Sequence, residues 1–210
     1  MSSIIEVIKI NSNNESTRLR LLDMTVNPIE KMAYIARVSH RSHVTSNKTD
    51  EELLKDIIRW GHLFVLEHAY ATIEISGVSR ACSHQLARHR NFSFMQESQK
   101  YVDMSDSRFC IPSRMLEDPV AYNMYLKSIE QSFKAYKQLI EAGTSKEDAR
   151  MVLANGVSTR IIVTGNFKTW REFIHKREIK AAQEEIRTVA REIRGILSEA
   201  THSFLWKYEV

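Results

Sequence analysis

The sequence predicts an α+β protein, a single helix-rich domain of residues 1–210 around a small, mostly antiparallel sheet. Several long stretches place apolar residues three or four positions apart, as helices do, whereas only short stretches alternate in polarity or are rich in β-branched residues. The 210 residues include only 3 Pro and 6 Gly, and no repeat or low-complexity run marks a linker. A chain that is 43% hydrophobic can bury a core of this size, and one domain is the simplest interpretation.

Helices are predicted where a capping residue precedes apolar residues at helical spacing. The longest begins at Asp118-Pro119 and ends at Gly143, because Pro suits the first helical position and Gly suits the residue after the last. Thr49 and Glu52 form a capping-box pattern before a second apolar run. The remaining predicted helices run from Asn27-Pro28 to Val38, from Ser79 to Leu86, from Ser145 past Arg150, over 167–177, and over 182–204.

About four short strands are expected. Residues 3–10 and 161–163 are apolar and β-branched, which favours strands. Ala71, Ile73 and Ile75 alternate with Thr72 and Glu74, as in a strand with one buried face. Residues 39–48 are polar and are predicted to form a loop.

The bulk charge and the cysteines narrow the class of protein. The formal net charge of 30 − 26 = +4 suits small anionic ligands and is too mild to indicate nucleic acid without a clustered patch. Cys82 and Cys110 form no CxxC pair, so neither a disulfide framework nor a structural zinc site is expected. No signal peptide is predicted in the first ten residues, and no apolar run approaches the roughly 18 residues that a membrane span needs. We expect a cytoplasmic protein without a membrane partner.

One segment, residues 80–101, concentrates polar chemistry. It reads RACSHQLARHRNFSFMQESQKY, with four cations against the single carboxylate of Glu97, several hydroxyl and amide groups, and three interspersed aromatic rings. Such donors are what a phosphate and the edge of a uracil-like base require. Composition alone leaves two alternatives open: a solvated basic turn or helix end, and a surface for single-stranded nucleic acid.

The spacing within this segment resembles the signature of the flavin-dependent thymidylate synthases. Arg88-His89-Arg90, followed by Ser93, Gln96, Ser98, Lys100 and Tyr101, is similar to the family pattern of Arg-His-Arg, a spacer, Ser and Arg-Tyr. Further blocks resemble the family in the same order along the chain, from Tyr34 to Arg187. These blocks are Gly61-His62, 65–68, Ser79-Arg80, 149–153, 163–166 with Trp170, Phe173 and Arg177, and 185–187.

The resemblance implies a reaction and its partners. The enzyme would convert dUMP to dTMP, with methylenetetrahydrofolate as carbon donor and with NADPH reducing a bound FAD. It would be a homotetramer with shared active sites, would have no nucleic-acid partner, and would lack a Rossmann fold. The absence of a GxGxxG or Walker motif in the sequence is consistent with that last expectation.

The resemblance also implies roles for individual residues. Arg177 would be catalytic by favouring the ionised uracil N3; on the sequence alone it is also explained as a cation at a helix end. The implied FAD contacts are His62, Arg88, His89, Arg90, Gln96, Asn166, Phe167, Lys168 and Glu172. The implied dUMP contacts are Gln85, Leu86, Ala87, Arg88, Gln96, Glu97, Ser98, Gln99, Lys100, Arg150 and Arg177.

Ser98 is interpreted as a donor to the phosphate, because no His or acid stands at a convincing local spacing to activate it as a nucleophile. His84 and His89 are five residues apart without an HExxH glutamate, so no metal site is expected. Trp170, Phe173 and Ile174 are predicted to lie in the core.

Four positions depart from the family pattern. Phe64 stands where Ser or Thr is usual, Lys100 where Arg is usual, Ala181 where His is common, and Glu172 where a neutral side chain or His is expected. Glu172 has a structural alternative, as the last residue of a Thr169–Glu172 capping box. These departures keep a third hypothesis open beside the synthase and the nucleic-acid module: a flavoprotein that oxidises NADPH without methyl transfer.

Overall fold

The computed structural model describes residues 7–9, 17–39 and 47–207. Within these residues the protein is a helix-rich α+β fold with a small antiparallel sheet, as predicted. The helices are α1 (Pro28–Val38), α2 (Asp50–Arg59), α3 (Arg80–Leu86), α4 (Ser113–Leu116), α5 (Pro119–Glu141), α6 (Lys146–Ala149), α7 (Phe167–Arg177) and α8 (Glu184–Ala200). The strands are β1 (Val7–Lys9), β2 (Arg18–Met24), β3 (Tyr70–Ser79), β4 (Ser93–Gln96), β5 (Phe109–Ile111) and β6 (Ser158–Asn166), and 3-10 turns cover Leu63–His68, Arg150–Val152 and Ser203–Leu205.

The strands form two sheets. A four-stranded sheet has the order β2-β3-β6-β4. A separate pair joins β1 to β5 in parallel, with Val7 opposite Phe109 and Lys9 opposite Ile111. The strand predicted over residues 3–10 is therefore found at 7–9, and its other residues lie outside the described ones, as do residues 40–46 of the predicted loop. Strands β2, β4 and β5 were not predicted.

The chain divides into two compact units. Unit 1 comprises Met1–Arg18, Glu74–Arg88 and Phe94–Ile162, and unit 2 comprises Leu19–Ile73, His89–Ser93 and Val163–Val210. Compactness does not test whether either unit folds alone, so the single domain stays a prediction.

The core of unit 1 forms around the long helix α5. Asp118 caps this helix, since its Oδ1 atom accepts hydrogen bonds from the backbone N–H of Val120 at 2.9 Å and of Ala121 at 3.2 Å. One face of α5 is buried through Ile129, Phe133 and Tyr136, as its spacing predicts. These side chains cluster with Met104, Phe109, Ile111, Ala149 and Val157.

The core of unit 2 forms where α7 packs on α8 and α1 packs on α2. The capping box at Thr49 and Glu52 is present in both of its hydrogen bonds, which confirms where α2 begins. Trp170, Phe173 and Ile174 are buried as predicted. The indole Nε1 of Trp170 donates to the carbonyl of Ala71 at 3.1 Å, which ties α7 to β3 and satisfies the buried N–H.

Three predicted boundaries need correction. The helix after Ser145 ends at Ala149, and Arg150 begins a 3-10 turn. The C-terminal helix runs from Glu184 to Ala200 rather than over 182–204. It stops at Thr201, because the hydroxyl of this residue donates a hydrogen bond to the carbonyl of Leu197 at 2.5 Å and its backbone leaves the helical region. None of the helices in the described residues is both long and apolar enough to cross a membrane.

Glu74 also differs from the simple alternating pattern of β3. The strand was predicted to expose one face, yet the Glu74 side chain is buried. Its carboxylate pairs with the guanidinium of Arg160 on β6. Burial of an ionised carboxylate is tolerated when such a partner compensates the lost hydration.

Gly165→Ala is expected to destabilise the protein by about 1–3 kcal/mol, the usual cost of overpacking a core. The added Cβ would lie 2.3 Å from Cδ1 of Phe92. The Phe92 ring packs on Trp170 with 4.4 Å between the ring centroids, so it would have to leave that contact. Urea unfolding followed by circular dichroism measures the free energy of unfolding.

Gly195→Ala is the matched control, because a Cβ at this position of α8 meets nothing within 4 Å. Replacing a helical Gly by Ala should stabilise the protein by up to roughly 1 kcal/mol. Equal unfolding free energies for the two variants would show that the packing of the Phe92 ring does not depend on the absence of a side chain at residue 165.

Candidate functional site

The part of the site in unit 1 begins where β3 passes into α3. Ser79 is the cap of α3, as predicted: its Oγ accepts from the backbone N–H of Cys82 at 3.0 Å. The helix therefore starts immediately after the strand, and it carries Arg80, Ser83 and Gln85 in its two turns. The side chain of Leu86 is buried, so only the backbone of this predicted dUMP contact remains for a ligand.

Gln96, at the end of β4, is held by two hydroxyl groups. Its Nε2 donates to Ser83 Oγ at 2.8 Å and to Thr159 Oγ1 at 3.2 Å. The Ser83 hydroxyl in turn donates to the carbonyl of Arg80 at 3.0 Å. Ser83 and Thr159 are both buried, whereas Gln96 is half-buried. The amide of Gln96 is therefore fixed from the protein side.

The turn after β4 presents Ser98 and Lys100. The Glu97 N–H donates to the carbonyl of Arg160 at 2.9 Å, which keeps this residue beside β6. Ser98 Oγ accepts from the backbone N–H of Lys100 at 3.2 Å, and its carbonyl accepts from the N–H of Tyr101 at 3.1 Å. Its hydroxyl hydrogen is not used in these contacts, and within the described residues no His or carboxylate bonds to Ser98 Oγ. The group is arranged as a donor.

Three cations and two carboxylates surround this turn. Arg80 is half-buried and donates from Nη2 to the carbonyl of Glu97 at 3.1 Å, while its buried Nε has no hydrogen-bond partner among the described residues. Burial lowers the pKa of Arg80; the Glu97 carboxylate opposes this shift, and the charge of Arg150 adds to it. Lys100 Nζ pairs with Glu147 Oε2 at 2.8 Å, and Arg150 Nε donates to the carbonyl of Glu147 at 3.1 Å. An anion that binds among neighbouring cations reduces the repulsion between them.

The part of the site in unit 2 is built on a hydrogen bond between His89 and Arg177. Arg177 Nε lies 2.9 Å from His89 Nε2. Because a guanidinium only donates, His89 Nε2 accepts, and the ring proton must be on Nδ1. Burial, then the charges of Arg177 and Lys176, lower the pKa of His89 to about 4. The imidazole is therefore neutral at pH 7 and leaves the charge of Arg177 uncompensated by the pair.

Aromatic rings fix His89 in place. Its ring meets Phe173 edge to face, with 5.1 Å between the centroids. Phe92, three residues further along the chain, packs on Trp170 at 4.4 Å and fills the space beside Gly165. The short segment 89–92 is thus held on α7 by the rings of its first and last residues, His89 and Phe92.

The start of α7 carries the next predicted contacts. Asn166 is the cap, because its Oδ1 accepts from the N–H of Thr169 at 2.8 Å and from its hydroxyl at 2.9 Å. Thr169 is therefore inside the helix, which rules out the alternative of a Thr169–Glu172 capping box. Phe167 is fully buried and packs on Trp206 at 5.0 Å, and its N–H donates to the carbonyl of Ala69 at 2.8 Å, so neither its ring nor its N–H is available to a ligand. Lys168 Nζ pairs with Glu67 Oε1 at 2.5 Å.

His62 lies on an exposed aromatic surface. Its ring is 6.3 Å from Trp60 and 6.3 Å from Phe64, measured between centroids. The exposed fractions of Trp60 and Phe64 are 56% and 60%, which is unusual for such large apolar side chains. This surface is available to a flat apolar ring.

The predicted contacts fall into two groups. The dUMP set, apart from Arg177, lies in unit 1, and the FAD set, apart from Arg88 and Gln96, lies in unit 2. The sequence did not indicate Thr159, since it is 63 residues from Gln96 along the chain and only the fold brings the two together. Among the residues that the structure describes, no group of three or more His, Cys, Asp or Glu side chains could hold a metal ion.

The cations and hydrogen-bond donors around Ser98 form a candidate site for a small anionic ligand. Comparison with known proteins gives the family of the chain. Residues 20–201 match the model of the family described as "Thymidylate synthase complementing protein". The match covers most of the 210 residues, and the chain belongs to this family.

Relatives named flavin-dependent thymidylate synthase are similar along much of the chain. The protein of Mycobacteroides abscessus is 41% identical over 157 residues, which are 68% of this chain and 63% of that protein, less than two thirds of its length. The protein of Thermococcus onnurineus is 33% identical over 196 residues, 88% of this chain and 80% of that protein. The protein of Pyrococcus furiosus is 35% identical over 184 residues, 82% and 75% of the two chains.

The pKa of His89 is expected to rise when Arg177 is replaced by Ala, because the cation that opposes protonation is removed. It should stay below the ordinary value of 6.5, since burial remains the larger cause of the shift to about 4. A pH titration of the imidazole by NMR measures both values. Arg191→Ala, which removes an exposed arginine of α8, is the control and should leave the pKa of His89 near 4.

The same shift gives stability a pH dependence. Between pH 6.5 and about 4 the unfolded chain protonates this histidine and the folded protein does not, so His89 lowers stability as the pH falls through that window.

The NMR titration also tests the contact itself. An unchanged pKa of His89 in the Arg177→Ala protein would mean that the two side chains do not face each other in solution.

Proposed function

We propose that the protein is a flavin-dependent thymidylate synthase. It would convert dUMP, methylenetetrahydrofolate, NADPH and a proton to dTMP, tetrahydrofolate and NADP⁺. The observation that carries the proposal is the cationic turn around Ser98 and Lys100, which lies inside the region that matches the family. Its partly buried guanidinium of Arg80 and its donor hydroxyl suit a nucleotide phosphate.

The residues of unit 2 fit a flavin. Exposed Arg90 and half-buried Lys168 supply cations for a pyrophosphate, and His62 lies on an exposed aromatic surface. Asn166 uses its oxygen to cap α7, which leaves its Nδ2 group as a donor. We assign FAD to the residues that the resemblance implies, with Phe167 contributing no more than its carbonyl, because its ring is buried and its N–H donates to Ala69. When bound, the flavin supplies hydride transfer, for which NADPH provides the electrons.

Arg177 would act on the uracil ring. A fixed guanidinium beside uracil lowers the energy of the ring that has lost its N3 proton, which makes C5 more nucleophilic. The neutral imidazole of His89 suits this role, because it orients the guanidinium through an accepted hydrogen bond without neutralising it. Ser98 would donate a hydrogen bond to the phosphate and would form no covalent bond to the substrate.

The proposed assembly is a homotetramer with shared active sites. The support is the family resemblance together with the match of residues 20–201 to the family. Light scattering of the FAD-loaded protein measures the assembly. A monomer that retains FAD would contradict it.

The absorbance spectrum of the FAD-loaded protein, with and without dUMP, tests the function. A flavin band that dUMP perturbs supports a flavoprotein that binds the nucleotide, and appearance of dTMP with methylenetetrahydrofolate and NADPH identifies the synthase. Oxidation of NADPH without dTMP would identify instead a flavoprotein that does not transfer a methyl group. Tight, steeply salt-dependent binding of single-stranded DNA without a flavin band would favour the nucleic-acid module.

Ser98→Ala is expected to weaken dUMP binding by about 1.5–3 kcal/mol, the value of a hydrogen bond to a charged group, and to leave dTMP formation measurable. Calorimetric titration of dUMP into the FAD-loaded protein measures the first effect, and turnover at saturating dUMP measures the second. Ser128→Ala, which removes an exposed serine of α5 in the same unit, is the matched control and should change neither. Complete loss of turnover in a folded Ser98→Ala protein that still reduces FAD would indicate a nucleophile.

Glu147→Gln is expected to tighten dUMP binding severalfold, because Lys100 would no longer be shared between a carboxylate and the phosphate. Asp106→Asn is the control: it breaks a comparable exposed pair in the same unit, Lys137 Nζ to Asp106 Oδ1 at 3.0 Å, and should leave dUMP binding unchanged. Calorimetry in low salt measures both. Unchanged binding in Glu147→Gln would remove Lys100 from the set of phosphate ligands.

A further inference from the structure

The amide of Gln96 is oriented by chemistry that leaves only one arrangement. The Ser83 hydroxyl has a single hydrogen, which it donates to the carbonyl of Arg80 at 3.0 Å. Towards Gln96 it therefore presents only lone pairs. The Gln96 atom 2.8 Å away must be a donor, so it is Nε2 and not the oxygen. The assignment of the amide follows from this chain of hydrogen bonds.

The second hydrogen of the amide is also used. Nε2 lies 3.2 Å from Thr159 Oγ1, so its two N–H groups have two hydroxyl acceptors. Ser83 and Thr159 are nine-tenths or more buried, with exposed fractions of 1% and 4%, and water does not compete for them readily. The oxygen of Gln96 accepts no hydrogen bond from any described residue. The amide of Gln96 therefore offers a ligand only its oxygen, which is a hydrogen-bond acceptor.

We propose that Ser83 and Thr159 are positioning residues, which hold Gln96 so that its carbonyl oxygen faces the ligand and selects a ring with an imide N–H. The inference rests on the proposed function, because that function makes Gln96 a ligand contact. A glutamine without such partners can turn its amide and offer either a donor or an acceptor. Because Ser83 and Thr159 occupy both N–H groups of the amide, Gln96 cannot donate to the ligand. It therefore disfavours a ring that presents a lone pair at this position.

Two ligands of the proposed reaction carry this imide, the uracil of dUMP and the isoalloxazine of the flavin. The flavin is the favoured source, because the role proposed for Arg177 needs a uracil that has lost its N3 proton. An acceptor oxygen beside that ionised nitrogen would oppose the loss. The flavin keeps its N–H, so the Gln96 oxygen is complementary to it throughout.

Thr159→Val and Thr159→Ser form the test pair. Valine keeps the shape of threonine and loses the acceptor, whereas serine keeps the hydroxyl and loses only a methyl group. Valine should let the amide of Gln96 turn, and serine should hold it. Ser83→Ala removes the other acceptor and is a second, independent variant. It replaces Thr159→Val in the test if thermal denaturation shows that the valine protein is not folded.

Each protein is titrated in two arms. In the flavin arm the apoprotein receives FAD or 3-methyl-FAD, and in the pyrimidine arm the FAD-loaded protein receives dUMP or dCMP, whose ring has a lone pair at N3. The readout is the ratio of the two dissociation constants within an arm. A merely structural weakening of the site moves both constants together and leaves this ratio unchanged.

In the flavin arm, we expect Thr159→Val and Ser83→Ala to reduce the preference for the N–H ligand by roughly threefold to tenfold, and Thr159→Ser to restore it. The same reduction in the pyrimidine arm would support the inference with uracil as the source. Equal ratios for valine and serine in both arms, with FAD and dUMP still bound, would overturn the inference and leave the proposed function standing. Failure of the parent protein to bind FAD and dUMP would overturn both.

Discussion

The contact of the Phe92 ring with Gly165 and Trp170 positions the rest of the site in unit 2. The ring occupies the space that a side chain at residue 165 would take, and it packs at a tilt against Trp170, which β3 holds through the carbonyl of Ala71. Residues 170, 173 and 177 are three and four positions apart, so they share one face of α7. With Phe92 anchored on the first of them, His89 reaches Phe173 and Arg177 on the next two turns. A packing constraint at a glycine thus decides where a guanidinium points.

The two units keep positive charge available by different means. In unit 2 one partner of Arg177 is the imidazole of His89, which burial keeps neutral, so this hydrogen bond orients the guanidinium and does not itself cancel its charge. In unit 1 Lys100 has a full carboxylate partner, but both side chains are about half exposed, at 49% and 46%. Exposed pairs contribute roughly 0–1 kcal/mol and are screened by salt, so the phosphate of the proposed substrate would compete readily for the lysine. A neutral partner, His89, orients Arg177, whereas the charged partner of Lys100, Glu147, is exposed and can be exchanged for another anion.

The sequence predicts the parts of this structure that depend on neighbours along the chain. Caps at Thr49, Ser79 and Asp118 act over two or three residues, so their helices begin where the pattern places them. Strands β2, β4 and β5 have only three to seven residues each, and a short strand is stabilised by its pairing partner far away in sequence. The same limit applies to the site. The spacing of residues 80–101 places Gln96 and Ser98 in it, but Thr159 joins Gln96 only through the pairing of β6 with β4.

The groups that orient the site do not titrate near neutral pH. The hydroxyls of Ser83 and Thr159 keep their hydrogen-bonding roles at any pH at which the protein is folded. His89 accepts its proton only near pH 4, so its bond to Arg177 persists well below neutrality. The exposed ion pair of Lys100 and Glu147, by contrast, is sensitive to ionic strength. In the proposed function, recognition of the ring by Gln96 and Arg177 would therefore be constant near neutral pH, and salt would act mainly through the residues proposed to bind the phosphate.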